Sequence, residues 1–110
     1  MKYLITESQL DRVVFKYLNN QDFIQIKKGD NIYFVNSEGD EYAEIRFDKK
    51  ESWCYVHLGL IEEISSFFSL GATDSKEIIG KWIENTLQVE IQYTAWVYRK
   101  NSSHLKVSSK

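Results

Sequence analysis

Residues 41–58 constrain this chain more than any other stretch. Ala43, Ile45, Phe47, Cys54, Val56 and Leu58 alternate with Tyr42, Glu44, Arg46, Trp53, Tyr55 and His57. A strict two-residue period is the mark of a strand with one face buried. Two such runs separated by the charged segment Lys49-Lys50-Glu51-Ser52 define a β-hairpin. Directly opposed residues must share a face, so side-chain type fixes the register. A four-residue connection pairs Phe47 with Cys54 and Ile45 with Val56. On the other face it sets Arg46 against Tyr55 and Glu44 against His57.

The same reasoning extends the sheet towards the N-terminus. Strands are expected at 22–28 and 31–36, before those at 41–48 and 53–58. A two-residue turn Glu38-Gly39 pairs Phe34 with Ala43 and Ile32 with Ile45. A three-residue turn Gly29-Asp30-Asn31 pairs Ile26 with Phe34 and keeps every isoleucine inward. The expected inner face is then Ile24, Ile26, Ile32, Phe34, Ala43, Ile45, Phe47, Cys54, Val56 and Leu58. The expected outer face carries Phe23, Gln25, Lys27, Tyr33, Val35, Tyr42, Glu44, Arg46, Trp53, Tyr55 and His57.

Helical periodicity brackets this meander. Thr6-Glu7-Ser8-Gln9 has the form of a capping box, and Leu10, Val13, Val14, Tyr17 and Leu18 follow as one stripe, with Phe15 off it. Asn19-Asn20 is the expected stop. Beyond Gly59, Leu60, Ile61, Ile64, Phe67 and Phe68 form a second stripe that closes at Gly71, with Glu62 and Glu63 in its first turn. Asp74-Ser75-Lys76-Glu77 opens a third helix over 75–86, striped by Ile78, Ile79, Trp82 and Ile83. Gly80 in its middle leaves room for another backbone. Residues 87–98 alternate again and form a fifth strand at a sheet edge. If that strand runs parallel to its neighbour, the crossover is right-handed. The expectation is one α+β domain over residues 1–98: a helix, a four-stranded antiparallel meander, two helices and a last strand, with the helices on one sheet face.

Composition narrows the function classes. The 110 residues suffice for one domain without staples. Cys54 is the only cysteine, so no internal disulfide exists, and its place on the oily face marks an inert core thiol. The opening Met-Lys-Tyr-Leu-Ile is too short an apolar run for a signal peptide, and nothing approaches a membrane span. The expected compartment is the cytoplasm, that of the host if the gene is viral. Net charge is −2, but residues 99–110 carry +4, leaving −6 on the rest. An acidic body disfavours nucleic-acid binding, and the basic end is expected to be a flexible tail.

The strings ITESQLDRVVFKYLNNQDF and ISSFFSLGATDSKEIIGKWIENTLQVEI resemble small uncharacterised proteins of phages and of marine viral and environmental sequence sets. The resemblance spans about residues 1 to 98. It implies a viral or accessory setting, and it implies no activity, cofactor or residue role.

No constellation points to chemistry. Two histidines and one cysteine do not form ligand-spaced pairs, so no metal site is expected. The five glycines are dispersed, with no phosphate-cradling loop. Glu44, Arg46 and His57 would be the acid–base set of an enzyme reading. The favoured expectation is a non-catalytic module without cofactor. It binds a protein partner or itself through Tyr33, Tyr42, Glu44, Arg46, Trp53, Tyr55 and His57. The alternatives are single-stranded nucleic acid on the same aromatics with the basic tail, or burial of this face under the chain's own tail, the first helix or a second copy.

Overall fold

The computed structural model describes residues 9–107. The order is α1 (Gln9–Asn19), β1 (Ile24–Lys28), β2 (Asn31–Val35), β3 (Ile45–Asp48), β4 (Trp53–His57), α2 (Leu58–Phe68), α3 (Ala72–Leu87) and β5 (Tyr93–Val97). The five strands lie in the order β1-β2-β3-β4-β5. The first four form an antiparallel meander, and β5 joins β4 in parallel after the α2–α3 excursion. The fold is α+β, as the sequence indicates. The capping box at Thr6 lies outside the described residues.

The central hairpin has the register that parity requires. Phe47 faces Cys54, Ile45 faces Val56 and Arg46 faces Tyr55. Ser52 takes a left-handed conformation (φ 59°) in the connecting turn. Asp48 Oδ1 accepts the amides of Lys50 and Glu51 at 3.0 and 3.3 Å, which tightens that turn.

The first hairpin differs. Its turn is Gly29-Asp30, with Lys28 opposite Asn31 and Ile26 opposite Tyr33. Gly29 supplies the positive φ of 60° at the first turn position, which glycine adopts without steric cost. The two-residue turn flips β1. Ile24 and Ile26 leave the helix side, and Phe23 joins it, edge-on to Phe34 and tilted against Trp82. The β2–β3 register is also shifted, with Ile32 opposite Phe47 and Phe34 opposite Ile45. Glu38-Gly39 is therefore not a tight turn. Residues 36–44 form a longer loop, and Ala43 sits on the opposite face from the one expected.

All three helices cover one face, here called the helix face. Their core joins Ile32, Phe34, Ile45, Phe47, Cys54 and Val56 to Val14, Leu18, Ile61, Ile64, Ile79 and Ile83. Each such side chain contributes about 1.5–3 kcal/mol on leaving water. The buried line of α1 is Val14, Phe15 and Leu18, so Leu10 and Val13 are exposed. In this orientation Asp11 pairs with Lys81 of α3 at 3.7 Å, and Trp82 Nε1 donates to Asn19 at 2.9 Å.

Helix boundaries depart from the expected ones at two glycines. Gly59 lies in the first turn of α2, so Glu62 and Glu63 fall one turn later than expected. The helix ends at Ser69 in a left-handed conformation, and Gly71 instead starts α3 as its N-cap. The expected box at Asp74 is inside α3, where the buried Ser75 hydroxyl bonds Gly71 O at 2.9 Å and Ser65 Oγ at 2.8 Å. Gly80 faces Thr94 of β5: a Cβ there would stand 2.7 Å from Thr94 Oγ1, so the glycine lets α3 lie close on the last strand. The helix α3 also runs to Leu87, which leaves β5 shorter than the alternation suggests.

Candidate functional site

Of the seven residues singled out in the sequence, Tyr42 lies in the loop before β3, and Glu44 and His57 lie at the end of the sheet beside Gln21 and Glu63. Tyr33, Arg46, Trp53 and Tyr55 lie on the face opposite the helices, the open face. This face is not bare. After β5 the chain turns back across it as far as Val107. Ala43 N donates to Leu105 O and Val107 N to Glu41 O, both at 2.8 Å, and Tyr42 forms an antiparallel bridge with Lys106. Leu105 is fully buried, and Val107 packs with Ile26 on a second small core of Tyr33, Val35 and Ala43. This second core explains the β1 and Ala43 corrections. Ile26 thus has cover on the open face, while Ile24 stays 37% exposed, so a one-core assignment misplaces both. Residues 99–107, expected to be loose, are thus placed against the sheet.

Charge fastens the same segment. Glu44 is a hub: Oε1 lies 3.2 Å from His57 Nδ1, and Oε2 takes Asn36 Nδ2 at 3.1 Å and the Lys100 ammonium. Lys106 pairs with Glu41 at 3.8 Å. The cross-strand pairing of Glu44 with His57 is present, and the backbone reinforces it through His57 N to Glu44 O at 2.9 Å. Arg46 points elsewhere. Its guanidinium lies 4.5 Å from the centre of the Tyr55 ring and donates to Asn31 Oδ1 at 2.8 Å. The His104 ring stacks on Tyr55 at 5.0 Å.

The expected site therefore separates into three places. Tyr33 and Tyr42 belong to the contact with the C-terminal segment. Glu44 and His57 line a cleft of about 240 Å³ with Gln21, Asn36 and Glu63, from which Arg46 is absent. Trp53 remains broadly exposed, at 37%. Parallel pairing of β4 with β5 sets Tyr93 beside it, ring centres 4.8 Å apart, and Tyr93 is 49% exposed. Tyr55 lies 6.1 Å from Trp53 on the other side. Beyond the strand Tyr98 is 71% exposed. It borders a cleft of about 690 Å³ lined by Tyr55, Trp96, Arg99 and His104, with no carboxylate on its walls.

Tyr93 and Tyr98 are the residues that sequence reasoning did not place in the site. Their alternation was visible. What was missing was the neighbour of β5, which only the tertiary arrangement supplies.

β5 is also the last strand of the sheet. Gln92 N donates to Ser52 O at 2.8 Å, across to the β4 side. In a parallel ladder alternate residues turn the same way. Thr94 and Trp96 therefore bond towards β4, and Tyr93, Ala95 and Val97 turn their amides and carbonyls outwards. Among the described residues no backbone group outside the sheet bonds to these three.

Cys54 offers no reactive thiol. It is fully buried, and desolvation, with a smaller contribution from the Glu84 charge, pushes its thiol pKa strongly up. Among the described residues no cluster of three or more His, Cys, Asp or Glu could hold a metal ion, and no helix is long and apolar enough to cross a membrane. No protein-family model, curated protein or solved structure matches the chain.

Proposed function

We propose that the chain is a small non-catalytic interaction module that meets a protein partner along β5 and the Trp53–Tyr93 strip beside it. One observation carries this reading: the outermost strand, Tyr-Thr-Ala-Trp-Val, has neither charge nor proline, and its outer hydrogen-bonding groups are unpaired among the described residues. Sheets normally blunt their edges with lysine, proline or cover. The opposite edge follows that rule, since β1 ends in Lys27-Lys28. The β5 strand itself is uncharged, and Lys76 of α3 beside it lies over the Tyr93 and Trp96 rings at 5.6 and 5.2 Å. An uncharged edge strand next to exposed aromatics suits strand addition, with backbone bonds giving affinity and side chains giving choice.

The other readings have less support. Lys100 and Lys106 are engaged by Glu44 and Glu41, so part of the basic charge a nucleic acid would need is neutralised within the chain. A proton-transfer role for Glu44, Arg46 and His57 meets the separation of Arg46 from the other two and the full occupancy of the Glu44 carboxylate. The phage-related setting implied by the sequence resemblance, with the host cytoplasm as compartment, is carried forward as part of the proposal.

Photo-crosslinking tests it. A benzophenone side chain at position 93 should yield protein adducts in cells, and the same group at position 27 on the β1 edge should yield few. Equal yields from both edges would count against the reading.

A further inference from the structure

We infer that the partner of the β5 edge is a second copy of this chain, joined by antiparallel β5–β5 pairing about a two-fold axis at Ala95. The inference rests on the reading of β5 as the interaction edge and adds its occupant and register.

Three features favour self-pairing. The first is backbone parity. The outward-facing residues are Tyr93, Ala95 and Val97, spaced by two and centred on Ala95. A two-fold axis there places Ala95 opposite Ala95 of the second copy and Tyr93 opposite its Val97. Each of these opposed pairs is then of the hydrogen-bonded kind, exchanging two N–H···O bonds, and they alternate with the non-hydrogen-bonded pairs of Thr94 with Trp96. No other neighbour of the strand is needed to satisfy these groups.

The second is size at the axis. The central residue is alanine, so two sheets meet there without a steric block, while the exposed Tyr93 ring comes to lie beside Val97, which is buried in its own chain. On the helix face the same register sets Thr94 against Trp96 of the second copy.

The third is charge. An isologous contact must be self-complementary, because each end of the strand meets the other end of its twin. The approach to β5 carries the exposed Glu90, and the exit carries the exposed Arg99. The register about Ala95 sets Arg99 opposite Ile91 of the second copy, next to its Glu90. A parallel pairing loses this match. Closing the β5 edge in this way leaves only the lysine-bearing β1 edges at the ends of the joined sheet, which resists further growth.

Light scattering with charge reversal at the axis tests the inference. The purified wild-type chain should show twice the chain mass at high concentration and dissociate on dilution. Ala95→Lys and Ala95→Glu each place like charges face to face across the axis. Each should weaken the dimer roughly a hundredfold or more, the scale of like-charge juxtaposition at an interface. An equimolar mixture of the two variants should regain the dimer mass. That rescue excludes misfolding as the cause of the loss, and circular dichroism of each variant checks the same point. A wild-type chain that is monomeric from micromolar to millimolar concentration would overturn self-pairing, as would a dimer indifferent to Ala95→Lys. Adducts from position 93 to a different protein, with a monomeric wild-type chain, would leave the edge reading standing and remove only the second copy.

Discussion

Single residues in this chain act mostly as ties between elements. The Tyr17 hydroxyl donates to the Glu63 carboxylate and joins α1 to α2, with the Phe67 and Phe68 rings beside it. That hydrogen bond, then burial, then the Glu63 charge raise the Tyr17 pKa from 10.0 to about 12. A phenol with a raised folded-state pKa favours the fold while protonated. Its contribution is complete below the unfolded value of 10.0 and is lost as pH rises through about 12. Tyr17→Phe should therefore lower stability at neutral pH and flatten the loss between pH 10 and 12, measured by urea titration at a series of pH values. An unchanged alkaline slope would show that the tie does not titrate with the fold. Gly80 acts differently, by what it lacks. Its missing Cβ lets Thr94 approach α3, and this close contact seats β5 beside β4.

At the scale of elements, the C-terminal segment decides how the sheet is covered. Leu105 of this segment is fully buried, and its carbonyl accepts from Ala43 N. Leu105→Ala should cost about 2–5 kcal/mol, the usual range for a buried leucine, read as a lower urea midpoint. A cost near zero would mean that the segment contributes little to the fold. The central hairpin was legible in the sequence because one face of it is wholly apolar and any slip exposes Phe47 or Val56. The three helices were legible from their stripes, though α1 buries Phe15 with Val14 and Leu18 and leaves Leu10 and Val13 exposed. The β1 parity was not legible. Ile24 and Ile26 look like core residues when only one core is assumed, but Ile24 is 37% exposed and Ile26 packs, with the returning Val107, on a second core. The same return hides Tyr33 and reassigns Tyr42, so the aromatic face read from alternation is narrower in the folded chain. Its exposed part lies at Trp53, with Tyr93 added by a pairing between strands that are distant in sequence.

At the scale of the whole molecule, the two sheet edges are unequal. β1 ends in two lysines, and β5 has no charge at all. The helices close one face and the C-terminal segment much of the other, which leaves β5 and its aromatic border as the interaction surface proposed above. Amide hydrogen exchange, followed by NMR at low and high protein concentration, tests this most directly. Thr94 and Trp96 bond to β4 and should be protected at both concentrations. Tyr93, Ala95 and Val97 should exchange quickly when dilute and slow markedly when concentrated, as their edge becomes paired. Fast exchange of these three amides at both concentrations, or protection of all five at both, would contradict the account.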